Sequence, residues 1–148
     1  MAGSSSTVLL VDDDRLDADL FVRALRKSGF ENPVQVRTSS ADAKRYLRGE
    51  GEYHDREQFP FPSLVVLDHR MPGDSGWGVL EWMRTEPVLR AVPVIVFSGS
   101  GSVADEARAS ELGASYQVKP QGSEEYDAVV RRMVEFWLAR VSLGLQKS

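Results

Sequence analysis

The stretch SLVVLDHRMPGDSG, residues 63–76, decides the fold. Leu64 to Leu67 form a short continuous apolar run, which predicts a strand buried on both faces. The run stops at a carboxylate, Asp68, and a Met-Pro-Gly-Asp turn leads at once into a new helical pattern. Open α/β sheets keep their chemistry at the carboxyl ends of parallel strands, so an acid there is a candidate functional group. The competing expectation is an Asp that merely caps a loop.

Working outward, Thr7–Val11 (TVLLV) is a second apolar run that stops at acids, Asp12, Asp13 and Asp14. From Arg15 to Ser28, Leu16, Leu20, Ala24 and Leu25 recur at helical spacing, and Gly29 supplies the stop. Pro33–Thr38 is a short strand with some alternation, and Ser39 with Asp42 starts a helix to about Arg48 in the manner of a capping box. A helix follows the opening stretch over Gly76–Glu86, with Val79, Leu80 and Met83 inward, and Pro87 breaks it. Pro93–Phe97 (PVIVF) is another buried-type strand ending at Ser98, followed by the loop SGSGS and a weakly apolar helix over Val103–Leu112. Ser115–Val118 is a strand running into Lys119-Pro120. The last helix spans about 123–143, with Glu124 and Glu125 in its first turn as the helix dipole favours. Its inward set is Tyr126, Val129, Val130, Met133, Trp137 and Val141.

Five strands alternating with five helices predict βαβ units with right-handed crossovers. The expected fold class is α/β: a flavodoxin-like, doubly wound, five-stranded parallel sheet of order 2-1-3-4-5, (βα)5. A (β/α)₈ barrel needs about 250 residues and is excluded by length. Residues 1–6 read as a disordered lead-in and 7–148 as one domain. Residues 49–62 (GEGEYHDREQFPFP) are polar and aperiodic, the pattern of a functional or mobile loop. His54 within it, with no second ligand, reads as solvated surface.

Bulk properties narrow the function. A net charge of −4 and no basic cluster give no footprint for nucleic acid. The absence of cysteine excludes disulfides, thiolate metal sites and thiol nucleophiles. No signal peptide is recognisable, and no apolar run approaches the roughly 20 residues that span a bilayer. The expected location is the cytoplasm.

In the order 2-1-3-4-5 the strand ends bring Asp12, Asp13, Asp68, Ser98 and Lys119 to one edge. Three close carboxylates repel one another unless a cation joins them. Oxygen-only ligands favour a hard ion, Mg²⁺ or Mn²⁺, held by few protein groups plus water. Neutralising phosphoryl oxygens is the dominant need in phosphoryl transfer. Asp68, on the central strand of the three, is the natural nucleophile and forms an aspartyl-phosphate. Lys119 offers a second positive charge and Ser98 a donor.

The VDD run ending at Asp13, the LDHRMPGDSG stretch, the FSG run with Ser98 and YQVKP at Tyr116–Pro120 resemble the receiver domain of two-component response regulators over nearly the whole chain. The resemblance implies that Asp68 accepts phosphate from a histidine kinase and that the protein is a signalling phosphoacceptor, not a metabolic enzyme. It implies Mg²⁺ on Asp13, Asp68 and the backbone carbonyl of Arg70, with Asp12 direct or through water. Ser98 and Lys119 then hold the phosphoryl group, and Ser98 with Tyr116 forms the switch. Arg70 and Ser100 fall at positions that tune phosphoryl lifetime in that family. DADLF (Asp17–Phe21), GWGVLEWMR and FWL (Phe136–Leu138) are similar to the single-domain regulators paired with bacterial phytochromes.

Other residues take plainer roles. Asp14 starts the first helix, and Asp74 is a turn residue. His69 points away from Asp68, and Trp77 and Trp82 pack. Phe136 to Ala139, with Leu143 and Leu145, exceed what one helix face can bury, which predicts a homodimer through the last helix. Competing functions are an aspartyl-phosphate phosphatase, a flavin or nucleotide site at SGSGS, and a phosphate-independent binding module. The phosphatase needs a second Asp two residues after the nucleophile. Arg70 stands there instead.

Overall fold

A computed structural model describes residues 6–71, 74–99 and 101–147, with the side chains of Asp74 and residues 140–147 excepted. Five strands and five helices alternate: β1 (Val8–Val11), α1 (Arg15–Lys27), β2 (Val34–Arg37), α2 (Ser40–Arg48), β3 (Leu64–Leu67), α3 (Gly76–Thr85), β4 (Val94–Ser98), α4 (Val103–Glu111), β5 (Ser115–Val118) and α5 (Ser123–Lys147). All five strands are parallel, in the order β2-β1-β3-β4-β5. That is the doubly wound arrangement expected from the strand and helix alternation.

Alternation along each strand feeds two cores. Val8, Leu10, Leu64, Val66, Ile95 and Phe97 face α1 and α5, where Phe21, Leu25, Val130 and Trp137 meet them. Leu9, Val11, Val65, Leu67, Val94 and Val96 face the other way, onto Tyr46 of α2 and Val79, Leu80 and Met83 of α3. Both faces of the central strands are therefore dry, which is why their sequences are continuous apolar runs. Pairing of Val11 with Leu67, Leu67 with Val96 and Ser98 with Val118 levels the carboxyl ends of β1, β3, β4 and β5.

Three expectations change. In α1, Leu16 and Leu20 are 75% and 47% exposed, and the buried row is Ala18, Phe21, Ala24 and Leu25. An i+4 row drifts around a helix of 3.6 residues per turn, and the inward phase here follows 18-21-25. The last helix runs on to Lys147, four residues past the expected end at 143. Residues 49–62, aperiodic in sequence, also pack on the protein. Gly51–His54 form a 3-10 turn that buries Tyr53, whose ring lies 5.1 Å from Tyr46 and 5.0 Å from Phe59. The Tyr46 hydroxyl donates to the Pro60 carbonyl at 2.7 Å, closing the loop onto α2. Three scattered aromatics anchor this segment, so it has no period to read.

At the start of the chain, the Ser6 carbonyl accepts from Asn32 Nδ2 at 3.1 Å. The rest of the expected lead-in (1–5), Ser100, and the side chains of Val141, Leu143 and Leu145 lie outside the described residues. On α5, Trp137 is buried and donates to the Ser63 carbonyl at 3.2 Å, while neighbouring Phe136 is 59% exposed.

Candidate functional site

Asp68 follows β3 directly, and its N–H donates to the Val11 carbonyl at 3.0 Å, so the sheet ladder sets where it stands. Its two carboxylate oxygens have different partners. Oδ1 accepts the Arg70 N–H at 2.9 Å, and Oδ2 lies 3.4 Å from Lys119 Nζ. The chain then turns through a two-residue antiparallel ladder, Arg70–Met71 with Asp74–Ser75, into α3. Gly76 passes so close beneath this strand end that a Cβ there would collide with the Asp68 carbonyl oxygen and sit 3.0 Å from His69 Cα. Only glycine permits that approach. Ser75 caps α3 by accepting the Trp77 N–H at 3.2 Å.

Lys119 follows β5, and its N–H donates to the Ser98 carbonyl at 2.7 Å. Its ammonium reaches Asp17 Oδ2 at 3.2 Å, Asp12 Oδ2 at 3.3 Å and Asp68 Oδ2 at 3.4 Å. Asp12 is buried, and its Oδ1 accepts the Asp14 N–H at 2.9 Å. Burial pushes the Asp12 carboxyl above its usual range, and the Asp68 charge adds to this. The Asp14 hydrogen bond and Lys119 only partly offset it, because Lys119 is shared among three acids. Burial alone would lower Lys119, but the charges of Asp12, Asp68 and Asp17 outweigh it and hold the ammonium above its ordinary value. The lysine is a fixed cation in this site.

The expected site residues are distributed as follows. Asp12, Asp68 and Lys119 meet, and Ser98 is fully buried at the adjoining strand end. Asp13 is half-buried and is not among the acids that converge; among the described residues those are Asp12, Asp17 and Asp68, each with one oxygen within 4.8 Å of the others. Three carboxylates against one ammonium leave two negative charges uncompensated, in an all-oxygen set that suits a hard divalent cation. Asp14 is the α1 N-cap, accepting the Leu16 and Asp17 N–H groups at 2.9 and 3.2 Å.

Asp17 had no assigned place in the site. The available signal was its position four residues after Asp13 in the first helical turn, which returns it to the same end of the molecule. His69 does turn away from Asp68, and it meets a partner there: Nε2 lies 3.1 Å from Asp105 Oδ2 in the first turn of α4. Its ring lies 5.2 Å from Trp77 and 6.4 Å from that of Tyr116, which is partly buried. His54 is exposed.

The sequence profile of the response regulator receiver domain matches residues 8–131, and the chain belongs to that family. It is 34% identical over 132 residues to the probable methanogenesis regulatory protein FilR2 of Methanothrix harundinacea, covering 88% of this chain and 83% of FilR2. It is 29% identical over 137 residues to the response regulator Rcp1 of Synechocystis, covering 92% and 91% of the two chains. The crystal structure of the phosphorylated cyanobacterial phytochrome response regulator RcpA superposes with a TM-score of 0.82 at 30% identity, covering 91% of this chain and 95% of RcpA. The protein is thus a two-component receiver similar to phytochrome response regulators, and a receiver implies a histidine kinase as partner. No helix among the described residues is long and apolar enough to cross a membrane.

Proposed function

We propose that Asp68 is the phosphoacceptor of this receiver. The observation that carries the reading is the division of labour on its carboxylate: Oδ1 is held by the Arg70 N–H, and Oδ2 faces Lys119. Oδ2 is the nucleophile. It bonds to phosphorus as the P–N bond of the kinase phosphohistidine breaks. The electron pair stays on the imidazole nitrogen, and the ring leaves neutral because its other nitrogen carries a proton.

Asp12, Asp13, Asp68 and the Arg70 carbonyl would hold Mg²⁺ or Mn²⁺, Asp13 by turning toward the ion from outside the converging trio, and Asp17 would add its charge beside them. When bound, such an ion neutralises phosphoryl oxygens and offsets the repulsion among the acids. Lys119 supplies a fixed positive charge to the arriving phosphoryl group, and Ser98 donates its hydroxyl. Ser98 then draws its loop inward and Tyr116 turns, altering the face of α4, β5 and α5 toward a partner. The only reactions the chain catalyses are its own phosphorylation and dephosphorylation.

We infer that this chain acts in the cytoplasm and that its kinase is a bacteriophytochrome, on the likeness to the phytochrome response regulator RcpA. We also read α5 as the contact of a homodimer, since Phe136 stands exposed beside buried Trp137. Incubation with acetyl phosphate and Mg²⁺ should add about 80 Da on intact mass. In Asp68→Asn the adduct should disappear, and labelling of that variant at the parent rate would sink the assignment.

A further inference from the structure

Lys119 carries three N–H donors. Three carboxylate oxygens stand around them, and the nearest, at 3.2 Å, belongs to Asp17 of α1, whose contact with the lysine the assigned chemistry does not use. We propose that Asp17 is a positioning residue that, with Asp12, fixes the direction of the Lys119 ammonium so that its remaining donor points at Asp68. The inference rests on Asp68 being the phosphoacceptor.

A single partner cannot orient an ammonium on a flexible four-carbon stem. Two partners from different elements can. Asp12 comes from the end of β1 and Asp17 from the first turn of α1, and a short chain of bonds holds them in a fixed relation. Asp12 Oδ1 accepts the Asp14 N–H, and Asp14 Oδ1 accepts the Asp17 N–H. With two donors so engaged, the third lies on Asp68 Oδ2. Once that oxygen is bonded to phosphorus, as an acyl phosphate, the carboxyl loses its charge. The same donor then passes to a phosphoryl oxygen, while Asp12 and Asp17 keep their hold.

An acid in the first turn of a helix is ordinary, because it complements the helix dipole. That role does not require contact with a lysine 102 residues away in sequence. Nor does Asp17 act by closing a pocket over the site, since its side chain is partly open to solvent.

The test compares the parent with Asp17→Ala, Asp17→Asn and Ser39→Ala. Ser39→Ala removes a helix cap of similar kind, at the start of α2, and takes no part in the bonds that hold Asp12, Asp17 and Lys119. The parent should label with acetyl phosphate and Mg²⁺; if it does not, the phosphoacceptor reading fails, and this inference with it. Given that labelling, Asp17→Ala should slow it about tenfold and Asp17→Asn by less, since Asn keeps an acceptor oxygen but no charge. Ser39→Ala should lower the melting temperature and leave the labelling rate unchanged. Without Mg²⁺, the ¹⁵N resonance of the Lys119 ammonium should be sharp in the parent and exchange-broadened in Asp17→Ala. Labelling of Asp17→Ala at the parent rate or faster would overturn the proposal. So would equal slowing in Ser39→Ala, or an ammonium signal indifferent to Asp17.

Discussion

The two helices that flank the site, α1 and α4, are attached to the sheet by different physics. α1 buries Ala18, Phe21, Ala24 and Leu25 in a dry core, with the Phe21 ring 6.2 Å from Phe97 in an edge-to-face contact. Of the residues of α4, Ala109 alone is buried, and Val103 at its start is 81% exposed. Polar ties do the rest: Asp105 to His69 at 3.1 Å, Arg108 to Glu81 at 2.7 Å, and the Arg108 guanidinium 4.7 Å above the Trp77 ring. An element held by few apolar contacts opens locally at low cost, whereas one seated in the core opens only with the whole domain. A phosphorylation signal worth a few kcal/mol can shift α4. It cannot shift α1, which has to hold Asp17 still.

This contrast can be attacked from its strongest side. Phe21→Ala should cost about 3–5 kcal/mol of global stability, read as a lower urea midpoint at unchanged slope. A cost below about 1 kcal/mol would show that α1 is not anchored as its burial implies.

The α2 side of the sheet offers a pH test of anchoring. Burial pushes the Tyr46 phenol up to about 12, only partly countered by Arg37 and Arg56. The folded value lies above the ordinary 10, so the associated stability is complete below pH 10 and lost as pH rises through about 12. Two units correspond to about 3 kcal/mol. Urea midpoints of the parent should fall over that window more steeply than those of Tyr46→Phe. Parallel curves would place the alkaline transition elsewhere.

The smallest effects belong to α4. Asp105→Ala should cost about 1 kcal/mol and raise hydrogen exchange in the α4 amides while those of α1 keep their protection. Val103→Ala should stay within about 0.5 kcal/mol of the parent. Faster exchange in α1 on Asp105→Ala would mean that the two helices open together.

Most of the site could be read from strand endings, because a buried strand must end where its apolar run ends and the next residue is polar. Asp12, Asp68, Ser98 and Lys119 all announce themselves in this way. Asp17 did not, because it sits in a helix where an acid of the first turn is commonplace, and its contact with Lys119 spans 102 residues. The inward face of α1 differs from the expected one for a related reason. Leu16 and Leu20 look like core by residue type, but helix phase against the sheet is a tertiary quantity. His69 was placed on the correct side of β3 by alternation, although its partner Asp105 lies on another element and could not be inferred.

What the amino-acid order determined alone is whatever follows from local periodicity and chain connectivity. That covers the five strands, their parallel order, and the meeting of Asp12, Asp68 and Lys119 at the carboxyl edge, with Ser98 at the adjoining strand end. Tertiary structure decided which oxygens the ammonium meets, which row of α1 faces the core, how residues 49–62 fold onto α2, and how lightly α4 is held. Each of these depends on distances between segments far apart in the chain, and a one-dimensional pattern carries no information about such distances until the packing of the elements sets them.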